Sequence, residues 1–366
     1  METKLSGRQA LALALTAVSS PIIHTAVSRT TSASGKSAWL AGVFAAVLAG
    51  VFMLMLCSAL RFEGVDLLDA MCAAFGNGAG KTVAVAYALF ILFIASLGLR
   101  EYAERFVSTI FPGGSVAVFA GVMLLLALFA ASRPAAPLGR SSVLFIWAIL
   151  VIAVGVTAFS LGEVKAGNVL PVTLSSAEKA LGGVLPIMNC FTVPVHLSFL
   201  AGDVRREKGF GKALAISAAA VSLLLGVIIF AAVGSFGEKY TAENSVMFFT
   251  MAKSVRIFDA AQHVESVVVA AWVVSDFVLI SAEIMSACRV FIRVFPKVRG
   301  KFFLWGAAIA LFAVSMTVVG GSFDIEKQIA PVSVPLNVGV SFALVTIIWA
   351  AGKMAKNKLK NFEKSS

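Results

Sequence analysis

Hydrophobic residues run through this chain in ten stretches, each about the 20 residues a helix needs to cross a bilayer. They fall near 9–28, 38–60, 82–107, 115–132, 141–162, 180–202, 212–236, 264–291, 302–321 and 334–352. The polar segments between them are short, and the longest, 237–263, leaves no room for a water-soluble domain. The pattern predicts an all-α integral membrane protein with ten transmembrane helices. Two stretches break at mid-length. The first runs Leu11 to Leu15, then Thr16-Ala17-Val18-Ser19-Ser20-Pro21, then Ile22-Ile23-His24. The sixth runs to Leu185, then Pro186-Ile187-Met188-Asn189-Cys190-Phe191-Thr192-Val193-Pro194, then Val195-His196. In hydrocarbon every backbone N–H and C=O needs a partner, so a helix is interrupted at membrane depth only where the gap is buried or lines a cavity.

Each broken stretch opens a set of five, dividing the chain near residue 170. Five is odd, so the second set enters the membrane from the opposite side, as in an inverted-topology repeat. The expected organisation is one transmembrane domain over 1–366, with repeats of about 9–162 and 180–352 and a basic tail at 353–366. Two segments outside the spans have helical periodicity. One, 65–75, sets Asp66 and Asp69 against Leu67, Leu68, Met71 and Phe75; the other, 244–258, carries Val246, Phe249, Val255 and Phe258.

Composition agrees with a lipid-solvated chain: 59% of the 366 residues are hydrophobic and 13% charged, against about 25% charged in a soluble domain. The net charge of +11 would point to nucleic acid in a soluble protein. Here the positive-inside rule accounts for it. With both termini inside, twenty of the thirty Lys and Arg fall on internal segments and ten on external ones. The basic tail can also touch anionic membrane lipid. The amino-terminal stretch leads straight into further spans and reads as a retained helix, not a signal peptide. Four cysteines without C-x-x-C spacing and three scattered histidines support neither a disulfide nor a metal centre. No nucleotide-binding or hydrolase motif occurs, so neither an enzyme nor a cofactor is expected.

The breaks are the first candidates for chemistry. Half-helix amino termini present free N–H groups suited to a carboxylate, and facing carbonyls can hold an ammonium group. Ser19, Ser20, Pro21 and Ile22 in the first break, and Asn189, Cys190, Phe191, Thr192 and Val193 in the sixth, are the expected substrate-binding residues. Asp276 and Glu283, seven apart within the eighth stretch, share one helix face. A carboxylate at the bilayer centre costs roughly 2.5–3.5 kcal/mol and marks a functional position, so Asp276 is a candidate for proton coupling. Glu283 is expected to pair with Arg289 or Arg293. His24 and His196 lie just past the two breaks, and each reads as a hydrogen-bonded helix histidine ahead of a proton relay. The Arg100-Glu101-Tyr102-Ala103-Glu104-Arg105 cluster reads as a snorkelling, mutually paired external cap.

Several segments are similar to a known family. Arg61-Phe62-Glu63-Gly64, with Leu67-Leu68, Phe75-Gly76 and Gly80-Lys81, resembles the segment between spans two and three of the spore germination permeases. Leu99-Arg100-Glu101-Tyr102-Ala103-Glu104 resembles that family's end of span three, and 258–281 its eighth span, though Asp276 stands where no acid is expected. These proteins belong to the amino acid–polyamine–organocation superfamily and are the B subunits of nutrient germinant receptors. The resemblance implies a LeuT-like 5+5 fold in the spore inner membrane, A-type and C-type receptor subunits as partners, and recognition of an amino acid or similar nutrient at the unwound parts of spans one and six. A proton-coupled amino-acid transporter and a scaffold that binds nothing are the alternatives.

Overall fold

The computed structural model describes residues 4–60, 64–170, 173–205, 207–254, 264–318, 320–321 and 324–365, with side chains described from 265 in the eighth span and as far as 353 in the tenth. Eight of its helices are long and apolar enough to cross a membrane. One of them, Gly7–Ala59, is a 53-residue run that folds back at Gly35, whose φ of 59° suits a residue without a side chain. It therefore makes two crossings. The shorter apolar helix Val116–Ala131 brings the total among the described residues to the expected ten.

Span one covers 7–34 and span two is Ala38–Ala59. Spans three to five are Asn77–Thr109, Val116–Ala131 and Ala135–Leu161. Span six is Val184–Asp203, built of several short pieces. Spans seven to nine are Phe210–Phe236, Val264–Val294 and Gly300–Thr317. Span ten is Ala330–Ser365. Ten crossings return the chain to one face, here called the terminal face. There Leu5–Ser6 pairs in parallel with Val204–Arg205, tying the start of span one to the end of span six.

Small residues set the closest approaches, as packing in lipid requires. Ala38, Ala41, Gly42, Ala45 and Ala49 are buried on span two, and Ala218, Ser222 and Gly226 on span seven. Where the two cross, a Cβ on Gly42 would stand 2.6 Å from the Gly226 Cα. Burial also ranks the spans: 78% of the apolar window of span six is buried, against 22% for span nine. Span six is central and span nine faces lipid.

Both interrupted helices are irregular where their prolines predict. Neither unwinds into extended backbone. In span one, Gly7–Pro21 passes into a π turn at Ile22–Ala26 and continues as Val27–Ser34. Pro21 has no N–H to give, and the wider π turn absorbs the disrupted ladder. In span six, Val184–Cys190 ends in a tight turn, with Phe191 N–H donating to Met188 O at 3.0 Å and Thr192 N–H to Asn189 O at 3.2 Å. The helix restarts at Val193–Leu197, with Pro194 in its first turn. The physical reason for the difference from the expected unwinding is that Ile22, Ile23, Cys190 and Phe191 are buried among apolar neighbours. Extended backbone there would strand polar groups.

The segment 65–75 forms the helix Leu67–Phe75, with Asp66 and Asp69 in a reciprocal capping box. The second amphipathic segment contains Met247–Ser254; Val255 and Phe258 lie outside the described residues, as do Arg61, Phe62 and Glu63.

Candidate functional site

Spans one, three, six, eight and ten enclose a cavity of about 90 Å³ at the level of both irregularities. Of the residues expected to bind substrate, Ser20, Pro21, Asn189, Thr192 and Val193 line it, and so does Asp276. Ser19, Ile22, Cys190 and Phe191 do not. Ser19 Oγ donates to Leu15 O at 2.8 Å, and the other three are packed in the core. A larger cavity of about 250 Å³ near the terminal face is lined mainly by leucines, Pro194 and Phe210. It holds no cluster of buried charge.

Asp276 is 3% exposed and takes contacts from three sides. Ser20 Oγ of span one donates to its Oδ1. His24 Nε2 stands 3.3 Å from Oδ2, and Arg105 Nη2 of span three donates to Oδ2 at 3.4 Å. His24 and Ser20 are four residues apart on the deformed helix, so both reach the same carboxylate. Trp272, one turn earlier on span eight, meets the His24 ring edge-on at 5.4 Å.

Glu283, one heptad further along span eight, is also buried, at 2%. Its partner is His196 of span six, with Nδ1 2.9 Å from Oε1. This corrects the expected pairing with Arg289 or Arg293. Those two arginines lie at the terminal face, where Arg289 binds Asp203 and Arg293 binds Asp66 and Asp69. Glu283 is two turns deeper than Arg289 and points to span six.

The Arg100–Arg105 cluster is corrected in part. Its members pair with one another as expected, Arg100 with Glu104 and Arg105 with Glu101, but it is not a solvated cap, because span three turns both arginines inward. Arg100 is buried, donates to Glu104 at 2.8 Å and also reaches the carbonyls of Ser315 and Gly320. Glu101 accepts from Arg29 Nη2 at 2.8 Å, and Arg29 also donates to Glu326 from Nε and Nη2, both at 3.0 Å. An ion-pair group thus joins spans one and three to the segment before span ten, on the cavity side away from the terminal face.

Sequence reasoning missed Arg29, Glu101 and Arg105 as site residues, and Asn337 altogether. Asn337 of span ten, 3% exposed, donates from Nδ2 to Asn189 Oδ1 at 3.0 Å and to Thr192 Oγ1 at 2.9 Å. Thr192 Oγ1 in turn donates to Asn189 O at 2.8 Å. Since that hydroxyl has spent its proton, it must accept from Asn337, which fixes the orientation of the Asn337 amide. The available signal was an asparagine two residues past a proline, Pro335, inside an apolar stretch, the same kind of break that exposed Asn189.

The comparisons agree with this architecture. The family described as Spore germination protein matches residues 4–319. Among solved structures, 148 chains match. One is MhsT in complex with L-phenylalanine, similar at a TM-score of 0.69 and 12% identity over 92% of this chain and 87% of that one. No curated protein matches the sequence. The chain is a multi-pass membrane protein with a LeuT-like arrangement, and it belongs to the spore germination permease family.

Proposed function

We propose that this member of the spore germination permeases is the permease-like B subunit of a nutrient germinant receptor. It binds a small nutrient, an amino acid, between the irregular parts of spans one and six. The observation that carries the reading is the cavity itself. It sits where both irregular helices meet, and its wall combines buried groups of both signs with hydroxyl and amide side chains. That is the surface a zwitterion requires. MhsT, on the same fold, holds L-phenylalanine, which supports the amino-acid class.

Ligand occupancy favours one arrangement of the bundle over another, by its difference in affinity for the two. The shift passes to A-type and C-type subunits and starts germination. The protein acts by binding and not by catalysis. In this reading residues 1–366 are one permease-like domain in the spore inner membrane, with both termini cytoplasmic and the basic tail at 353–366 against anionic lipid.

A thermal-shift screen of the purified protein against amino acids and other small nutrients tests it. A ligand that binds the native state raises Tm by mass action. The rise should disappear in Thr192→Trp, which fills the cavity. A screen with no responding compound overturns the reading and leaves a non-binding scaffold, and a rise that survives in Thr192→Trp overturns it by placing the binding outside this cavity. A second reading, a proton-coupled amino-acid transporter, is favoured by the burial of Asp276 against His24. It requires uptake by the protein alone in proteoliposomes and loss of that uptake in Asp276→Asn.

A further inference from the structure

The polar atoms of the cavity wall are not used evenly, and the unused ones fall into two groups of opposite character. On the side of spans six, eight and ten the unused atoms are acceptors. Asn337 spends its amide N–H groups on Asn189 and Thr192, and its Oδ1 is buried with no partner among the described residues. His196 faces Glu283 through Nδ1 at 2.9 Å; in the neutral imidazole, an Nδ1 proton given to the carboxylate leaves Nε2 as an acceptor. Nε2 is likewise buried with no partner. Glu283 completes this side with a carboxylate that has no arginine on it among the described residues.

On the side of spans one and three His24 Nε2 also makes no hydrogen bond among the described residues but stands 3.3 Å from Asp276, and the other unused atom is a donor. Arg105 is 7% exposed; among the described residues its Nε has no partner and its carboxylate contacts are long, 3.4 Å to Asp276 and 3.9 Å to Glu101. Arg29 is by contrast fully engaged by Glu101 and Glu326. Three acids and two arginines line the cavity, so negative charge is in excess and a cationic group is favoured at the acceptor side.

Resting on the reading above, we infer that side chains, not helix ends, fix the direction of the bound amino acid. Its ammonium group lies at Asn337 Oδ1, His196 Nε2 and Glu283, and its carboxylate lies at Arg105. An ammonium has three N–H donors, which matches this set of acceptors. The irregular helices offer these roles little backbone, because span one stays helical through its π turn and the turn at Phe191–Thr192 of span six is closed by its own hydrogen bonds. The volume bounds the ligand as well. A cavity of about 150 Å³ holds benzene, so about 90 Å³ favours the smallest amino acids.

The test uses the purified full chain and thermal shift, with glycine, L-alanine and L-serine as zwitterions. Ethylamine serves as a probe with the amine alone, and propionate as a probe with the carboxylate alone. Asn337→Leu and Glu283→Gln should each weaken ethylamine and the amino acids at least about tenfold, the loss expected for a hydrogen bond to a charged group, and leave propionate unchanged. Arg105→Gln should do the reverse. Two variants on the acceptor side guard against one that does not fold, and a sharp melting transition reports that each does. If both weaken the two half-ligands equally, their role is structural and the inference fails while the reading stands. If none of the three zwitterions shifts the wild type, the inference on size and direction fails, and the broader nutrient screen decides the reading separately.

Discussion

Span eight carries two buried histidine–carboxylate pairs seven residues apart, and they differ in what surrounds them. Asp276 faces His24 and is also held by Ser20 and Arg105. Glu283 faces His196 and has no further ion-pair partner among the described residues. The first pair sits inside a network spanning three helices, with a permanent cation to balance it. The second stands at the cavity wall with its charge answered only by an imidazole. The lesson is that two histidine–carboxylate pairs on one helix face can serve different ends. The balanced pair holds spans one, three and eight together, and the unbalanced pair has capacity left for a guest.

The largest effect should come from breaking the balance at the first pair. Arg105→Met leaves a buried carboxylate without its cation and should cost about 3–5 kcal/mol of stability. Combining it with Asp276→Leu should recover much of that loss, since an apolar replacement of a whole buried pair is often close to neutral. Denaturation in detergent of the two single variants and the double variant measures the coupling. Strict additivity would show that the network is not a unit.

A smaller effect is expected at the second pair. Glu283→Gln keeps the shape and a hydrogen-bonding oxygen for His196, so it should cost about 1–3 kcal/mol and less than Arg105→Met. If the order is reversed, the contrast between the two pairs is wrong.

The smallest effect belongs to the terminal face, where Arg293 binds Asp69 at 2.5 Å in a solvated setting. Arg293→Ala should cost about 1 kcal/mol or less, with the loss shrinking at high salt. Burial pushes both capping carboxyls up. At Asp66 burial wins and its pKa stands above the ordinary value. At Asp69 the Arg293 hydrogen bond and the cap more than offset burial and hold it below. A depressed folded value stabilises above the unfolded pKa, about 4, and that part is lost as pH falls through the folded value. Melting curves between pH 6 and pH 3 should therefore drop less in Asp69→Asn than in the wild type.

The span count, both irregular positions and the buried acids could be read from the chain because each is a local signal. A proline in an apolar run and a carboxylate far from either end need no knowledge of neighbours. What escaped was direction. Arg29, Glu101 and Arg105 lie near span ends, where a charge can reach water, and their inward aim depends on partners 72, 171 and 297 residues away. The same limit hid the real partner of Glu283. Arg289 and Arg293 share its helix and suit it by spacing, but His196 lies 87 residues earlier and meets it only after spans six and eight pack.

The widened turn at Ile22–Ala26 carries one residue more than an ordinary turn would, and at about 3.6 residues per turn that residue is worth roughly 100° of phase. It gears the two ends of span one against each other. Ser20 is timed to the carboxylate on span eight, and Arg29 is timed to Glu101 and Glu326. Removing a single residue from the turn would let the ladder close and swing the guanidinium off its acids while Ser20 kept its place. One surplus amino acid thus synchronises the chamber with the ion-pair group beyond it.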